Sequence, residues 1–328
     1  DDRSNSGQVH SLSRSIREAT QTWTITTTDN EGEGSLRNAI SNSMPGDLIR
    51  FDEAVFPADR PALIEISESL PAIVQGDITI DGSDAGVILS GSKLSDGDGL
   101  LISSSGNVIR GLQIIGFPNS GLSLLPGAHD NVIGGNRTVG AGPLGQGNLI
   151  SKNGGNGIRM AGNDVFANIV IGNLIGTDIS GMNAMGNGVN GISIEGAKNN
   201  MVGSRTAAEG NLVSGNAEFG IMIRGSGNSV FGNIVGLDMI GAHALANQHH
   251  SGIAIHSGHD NCIGGFLPDE KNIVSGNGEH GISLLRRDTY HNEIIGNYVG
   301  IDIMGSREIS NVDNGISVEL GAYNNLIK

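Results

Sequence analysis

The sequence predicts an all-β chain wound as a three-sided parallel β-helix, a solenoid with one short helix capping its N-terminal end. Three observations lead there. The segments GIRM at 157, GISI at 191, GIMI at 220, GIAI at 252, GISL at 281 and GISV at 315 recur at intervals of 34, 29, 32, 29 and 34 residues. Self-similarity at such a period marks a stacked-repeat architecture. Each interval holds three short apolar runs separated by Gly and Asn, as in GISIEG, NNMVGS and GNLVSGN between 191 and 216, so each repeat supplies three strands and closes one rung. Within the GI runs apolar residues alternate: Ile158 with Met160, Ile192 with Ile194, Ile221 with Ile223, Ile253 with Ile255, Ile282 with Leu284 and Ile316 with Val318. Period two is strand periodicity, with one face turned into the tube.

In chain order, residues 1–20 are polar and poorly patterned and are expected to form a tail or an outer strap. Residues 21–60 are expected to supply an N-terminal strand and the cap. GEGSLRNAISNSMPGDLIRF holds a helix from Ser35 to about Ser43, with Ser35 as N-cap and Pro45-Gly46 as the stop. An open solenoid end exposes apolar side chains and unpaired strand edges, and such a helix hides them. Residues 61–328 form the parallel β-helix, starting with less regular rungs: GDITIDG at 76, GVILSG at 86, DGLLISS at 98, NVIRGLQIIG at 107 and GLSLLPG at 121. The chain stops at NNLIK, midway through a repeat. The last rung is therefore expected to be covered, by continuation of the stack or by self-association.

Asn148, Asn173, Asn211, Asn233, Asn272 and Asn297 head equivalent runs. Asn tolerates a left-handed bend and its amide can bond the same residue one rung away, which predicts a row of corner residues; a row of ligand-binding amides is the alternative. GTDISG at 176, GLDMIG at 236 and GIDIMG at 300 recur every second rung. Asp178, Asp238 and Asp302 are then roughly 10 Å apart, too far to share an ion. They either form Asx-type turns or hold separate metal sites, for which calcium, completed by loop carbonyls, is the candidate cofactor.

Composition narrows the partners. With 53 Gly against 8 Pro and no third-residue period, the chain is turn-rich and not collagen-like. A formal net charge of -15 makes nucleic acid and anionic membrane surfaces poor partners, and no nucleic-acid partner is expected. No apolar run approaches a membrane span. The lone Cys262 can form neither an internal disulfide nor a zinc cluster.

The segments GEGSLRNAI and GDLIRF, with NLIGTDISGMNAMGN, GNLVSGN and NNMVGS, resemble the bacterial right-handed parallel β-helix repeat proteins of the pectin-lyase-like superfamily. The resemblance runs from Trp23 over nearly the whole chain. It implies right-handed coiling, an extracellular or cell-surface location, and action on acidic or neutral polysaccharides. Lyases of that superfamily pair calcium or arginine, which neutralises a uronate carboxylate, with a basic residue that removes the adjacent proton; hydrolases use paired carboxylates. No lyase or polygalacturonase signature fixes those roles here, so candidates come from rung geometry.

The outward position after each inward pair carries Ala161, Glu195, Arg224, His256, Leu285 and Glu319. Glu195, Arg224 and His256 fall on successive rungs, and His280 precedes the next GI run; these four are the candidate catalytic residues. Glu218, Arg286, Arg287 and Tyr290 flank them as candidate substrate-binding residues, in loops also rich in histidine. For β-elimination Arg224 or Arg286 would stabilise the developing enolate and His256 or His280 would take the proton. For hydrolysis Glu195 would act with Glu218 or Glu279. The plainer reading is a surface salt-bridge ladder with turn histidines. One Trp and three Tyr are few sugar platforms, which disfavours neutral glycans. Two functions stay open: a lyase or glycoside hydrolase for an extracellular, acidic polysaccharide, or a non-catalytic adhesin, stalk or glycan-binding surface module.

Overall fold

The computed structural model describes residues 20–328; the predicted tail or strap, but for Thr20, lies outside the described residues. Three parallel sheets of 11, 9 and 8 strands wrap one apolar core. The coil that contains Ile169–Ile171 and Leu174–Ile175 closes with Ile192–Glu195, one strand for each sheet. The GI runs form the 8-stranded sheet, in which Ile158, Ile192, Ile221, Ile253, Ile282 and Ile316 pair in unbroken register. From Ile158 to Leu284 the inward pairs are 0% exposed. In the last rung Val318 is 47% exposed, because no further strand follows it in the sheet.

The helix Leu36–Asn42 forms where expected: the Ser35 side chain accepts from the Asn38 amide, and Leu36, Ala39 and Ile40 are buried over the first rung. Thr22–Ile25 and Leu48–Phe51, on either side of it, pair in parallel with each other and then with Thr79–Asp81. These two strands are thus the N-terminal edge of the 11-stranded sheet itself, since Ile25, Ile49 and Phe51 bury into the same core.

The expected Asn row is a ladder in which each side-chain amide donates to the next Oδ1, at 2.9–3.0 Å from Asn148 to Asn297. Two further ladders occupy the other corners. One runs from Asn107 through Asn131, Asn168, Asn200, Asn228, Asn261 and Asn292 to Asn325. The other runs from Asn153 through Asn187, Asn216, Asn247 and Asn277 to Asn311. All but Asn297 and Asn325 at the C-terminal ends are buried, and each is hydrogen-bonded, which burial of a polar group requires.

The longer GxD loops stack on one another across two rungs. The Met239 amide donates to the Gly181 carbonyl at 2.9 Å and the Ile303 amide to that of Gly241 at 3.1 Å. Gly181 and Gly241 have φ of +69° and +66°, and a Cβ there would meet Met239 or Ile303 at 2.8 or 2.6 Å. Glycine is required at both for backbone conformation and for space.

Candidate functional site

The outward face of the GI sheet carries the chemistry. Strand alternation turns Arg159 outward between Ile158 and Met160, and on the next strand it turns Glu195 outward after Ile194. Glu195 and Arg224 are cross-strand neighbours, but the carboxylate pairs elsewhere. Arg159 Nη2 and Nε donate to its Oε2 at 2.8 and 3.2 Å, and Ser193 Oγ donates to Oε1 at 2.9 Å. Burial would raise the Glu195 carboxyl, but these hydrogen bonds and the charges of Arg159 and Arg224 hold it below its ordinary range. Glu195 thus pairs with Arg159, a diagonal contact within reach of a long side chain. Arg224 is left exposed with no ion pair among the described residues. It lines a shallow cavity of about 320 Å³ with Asn190, Glu195, Glu218, Phe219 and Met222.

His256 lies on the following strand with its ring edge-to-face on Phe219, centroids 5.2 Å apart. Both ring nitrogens are buried and without a hydrogen-bond partner among the described residues. Burial, followed by the charges of Arg224, Arg286 and His250, pushes its pKa from 6.5 down to about 4. The imidazole is thus neutral at pH 7, and neither nitrogen is exposed to take a substrate proton. Since the unfolded chain binds the proton more readily, stability is lost as pH falls from 6.5 towards 4. H256L removes the orphaned nitrogens. It is expected to flatten that limb of the stability–pH curve, as measured by urea unfolding at a series of pH values; an unchanged limb would place its cause elsewhere.

Beside this column runs a row of alternating carboxylates and imidazoles. His250 stacks on Phe219 at 4.4 Å, with Nε2 2.9 Å from Glu218 and Nδ1 3.6 Å from Glu279. His280 is 8% exposed. Its Nδ1 accepts from the Asn314 amide at 3.2 Å, which leaves the proton of the neutral ring on Nε2, facing Glu319 at 3.5 Å and Glu279 at 4.0 Å. Glu279, His280 and Asp313 offer ligand atoms within 4.8 Å of one another and could hold a metal ion. Given that tautomer, the two carboxylates would bear most of the cation, as a hard ion prefers.

No protein-family model matches the chain, and no curated protein matches it in sequence. Solved structures do. An alginate lyase from Paenibacillus sp. str. FPU-7 superposes with a TM-score of 0.51 at 18% identity, covering 94% of this chain and 99% of its own. The A-module of the Azotobacter vinelandii mannuronan C-5 epimerase AlgE4 gives 0.51 at 13% identity, covering 92% and 97%. The AlgE6 A-module from the same organism gives 0.50 at 13%, covering 93% and 98%. The chain shares the parallel β-helix fold of these structures.

Other predicted residues of this parallel β-helix lie apart from the cluster. Asp178 accepts from Ser180 Oγ at 2.7 Å, the Met182 amide at 3.1 Å and Asn183 Nδ2 at 2.7 Å. Asp238 accepts from the Ala242 amide at 2.9 Å and sits 2.7 Å from His243 Nδ1; Asp302 accepts from the Ser306 amide at 2.8 Å. Burial opposes ionisation of Asp178 and Asp238 but the donors outweigh it, and at Asp302 the Ser306 amide leads; all three carboxyls are lowered. Calcium at any of them would have to displace these turn donors. Tyr290 is stacked between His259 at 4.8 Å and Tyr323 at 5.5 Å, so its ring faces are occupied. Arg286 and Arg287 are exposed just past the strand Ile282–Leu285. A larger cavity, about 550 Å³, lies by Arg50, Asp52, Glu53 and Asp81 at the N-terminal end. Its lining carries carboxylates but no imidazole, and the GI face, where imidazoles and carboxylates meet, is taken as the candidate site.

Sequence reasoning missed Arg159 and Phe219. Arg159 was legible as the outward residue inside a GI run. Phe219 gave no signal beyond its place before one. Among the described residues no helix is long and apolar enough to cross a membrane.

Proposed function

We propose that the protein binds and cleaves an acidic extracellular polysaccharide on the GI face, by β-elimination. Arg224 receives a uronate carboxylate and His250, oriented by Glu218, takes the proton from the carbon that bears it. The electrons of that C–H bond form a carbon–carbon double bond as the neighbouring C–O bond breaks, and the departing oxygen takes a proton from solvent water, the hydroxide left being neutralised by the proton that His250 gives up. The observation that carries this reading is Arg224 itself, an unpaired guanidinium in a cavity it shares with Glu218 and Phe219, the two partners of His250. Arginine matches a carboxylate bidentately, and a half-exposed imidazole is within reach of a substrate proton. Hydrolysis through Glu195 is disfavoured, since Arg159 and Ser193 hold that carboxyl ionised and a general acid needs a raised pKa. Two structures of the same fold are named for alginate lyase and mannuronan C-5 epimerase. Export to the cell surface or medium belongs to the same proposal.

The dry nitrogens of His256 favour a second reading, a glycan-binding module without turnover. A panel of uronate-rich and neutral polysaccharides, followed by ultraviolet absorbance and reducing ends, separates the two. The expected result is unsaturated product from a uronate polymer, with H250Q slowing turnover about 10²–10⁴-fold while binding persists, and R224A weakening binding. Binding without product from any polymer would select the module, and no binding to any acidic glycan would overturn both.

A further inference from the structure

Along the GI face the outward charges alternate from rung to rung. Arg159 stands on the strand Ile158–Ala161, Glu195 on the next and Arg224 on the one after. His256 follows, then Arg286 just past the Leu285 that pairs with His256, and Glu319 on the strand paired to Leu285. Cations thus recur every second rung, Arg224 in the column of Glu195 and His256, Arg159 two residues before that column and Arg286 one residue past it, with an anion or a neutral imidazole between. Parallel strands lie about 4.8 Å apart, close to the length of one sugar in an extended polysaccharide, so two rungs span about a disaccharide.

Resting on the proposed acidic-glycan function, we propose that this face selects a polymer bearing its acid group on alternate sugars. Laid along the axis, such a chain places successive carboxylates at Arg224 and Arg286 and an uncharged sugar over His256. Arg224 and Arg286 have no ion pair among the described residues, and each acts electrostatically on His256 between them. A polymer charged on every sugar would set carboxylates against Glu195 and Glu319, and like charges juxtaposed are the device by which an interface rejects a wrong partner. The register ends at Arg159, which is occupied by Glu195.

Oligosaccharides of equal length test this by calorimetry: one alternating uronate with N-acetylhexosamine, one all uronate, one neutral. The alternating ligand is expected to bind about tenfold tighter than the all-uronate one, with R224A and R286A each costing about tenfold. E195Q frees Arg159 and removes a repelling charge, so it is expected to tighten the all-uronate ligand several-fold, an effect no structural role for Glu195 produces. Equal or tighter binding of the all-uronate ligand, with R286A silent, overturns the alternation and leaves the acidic-glycan function standing. Failure of both acidic ligands to bind overturns the two together.

Discussion

Replacing Asn216 by Asp is expected to cost about 3–5 kcal/mol, a large part of a typical domain's stability. The wild-type side chain is 0% exposed. Its Nδ2 donates to the Ile175 carbonyl at 3.2 Å and to Asn247 Oδ1 at 3.0 Å, while its Oδ1 accepts from the Asn187 backbone and side chain at 3.3 and 2.9 Å. A carboxylate keeps the acceptor, loses both donors and sets a buried charge against two oxygens. N216A loses less, about 2–4 kcal/mol, by orphaning the Asn187 donors. Urea unfolding followed by circular dichroism checks both; a loss below about 1 kcal/mol for the Asp variant would mean that the ladder contributes little.

Truncation of Ile255 to Ala is expected to cost about 2–5 kcal/mol, since it opens a cavity between rungs that cannot close around it. Ile255 is 0% exposed and stands between Ile223 and Leu284 in the register. V318A, on the last rung and 47% exposed, is expected to cost under about 1 kcal/mol because it leaves no void. The pair measures how protection decays along the stack. Equal losses would show that the final rung is as tightly packed as the middle.

Much of the fold was legible because its rules are local and repeated. The alternation in the GI runs gave the inward stack, and the spacing of Ser35 and Pro45-Gly46 gave the helix. The Asn148 ladder could be read from its GN-led runs, whereas the ladders beginning at Asn107 and Asn153 sit in more varied contexts and emerged only in three dimensions. The site was less legible. Which cation a carboxylate chooses depends on side-chain reach, and Glu195 takes Arg159 over its register neighbour Arg224. The burial of His256 depends in part on Phe219, contributed by a preceding corner. Neither fact is written in residue spacing.

The three Asn ladders all point one way. Every side-chain amide except the last of each ladder donates one N–H to the Oδ1 of the next higher-numbered rung, from Asn107 to Asn325, Asn148 to Asn297 and Asn153 to Asn311. Amide dipoles aligned head to tail add, as peptide groups do along an α-helix, and hydrogen-bonded chains polarise one another. Side-chain dipoles aligned in this way sum along the axis, negative towards the capping helix and positive towards the higher-numbered rungs. Glu279, Asp313 and Glu319 lie towards that positive side.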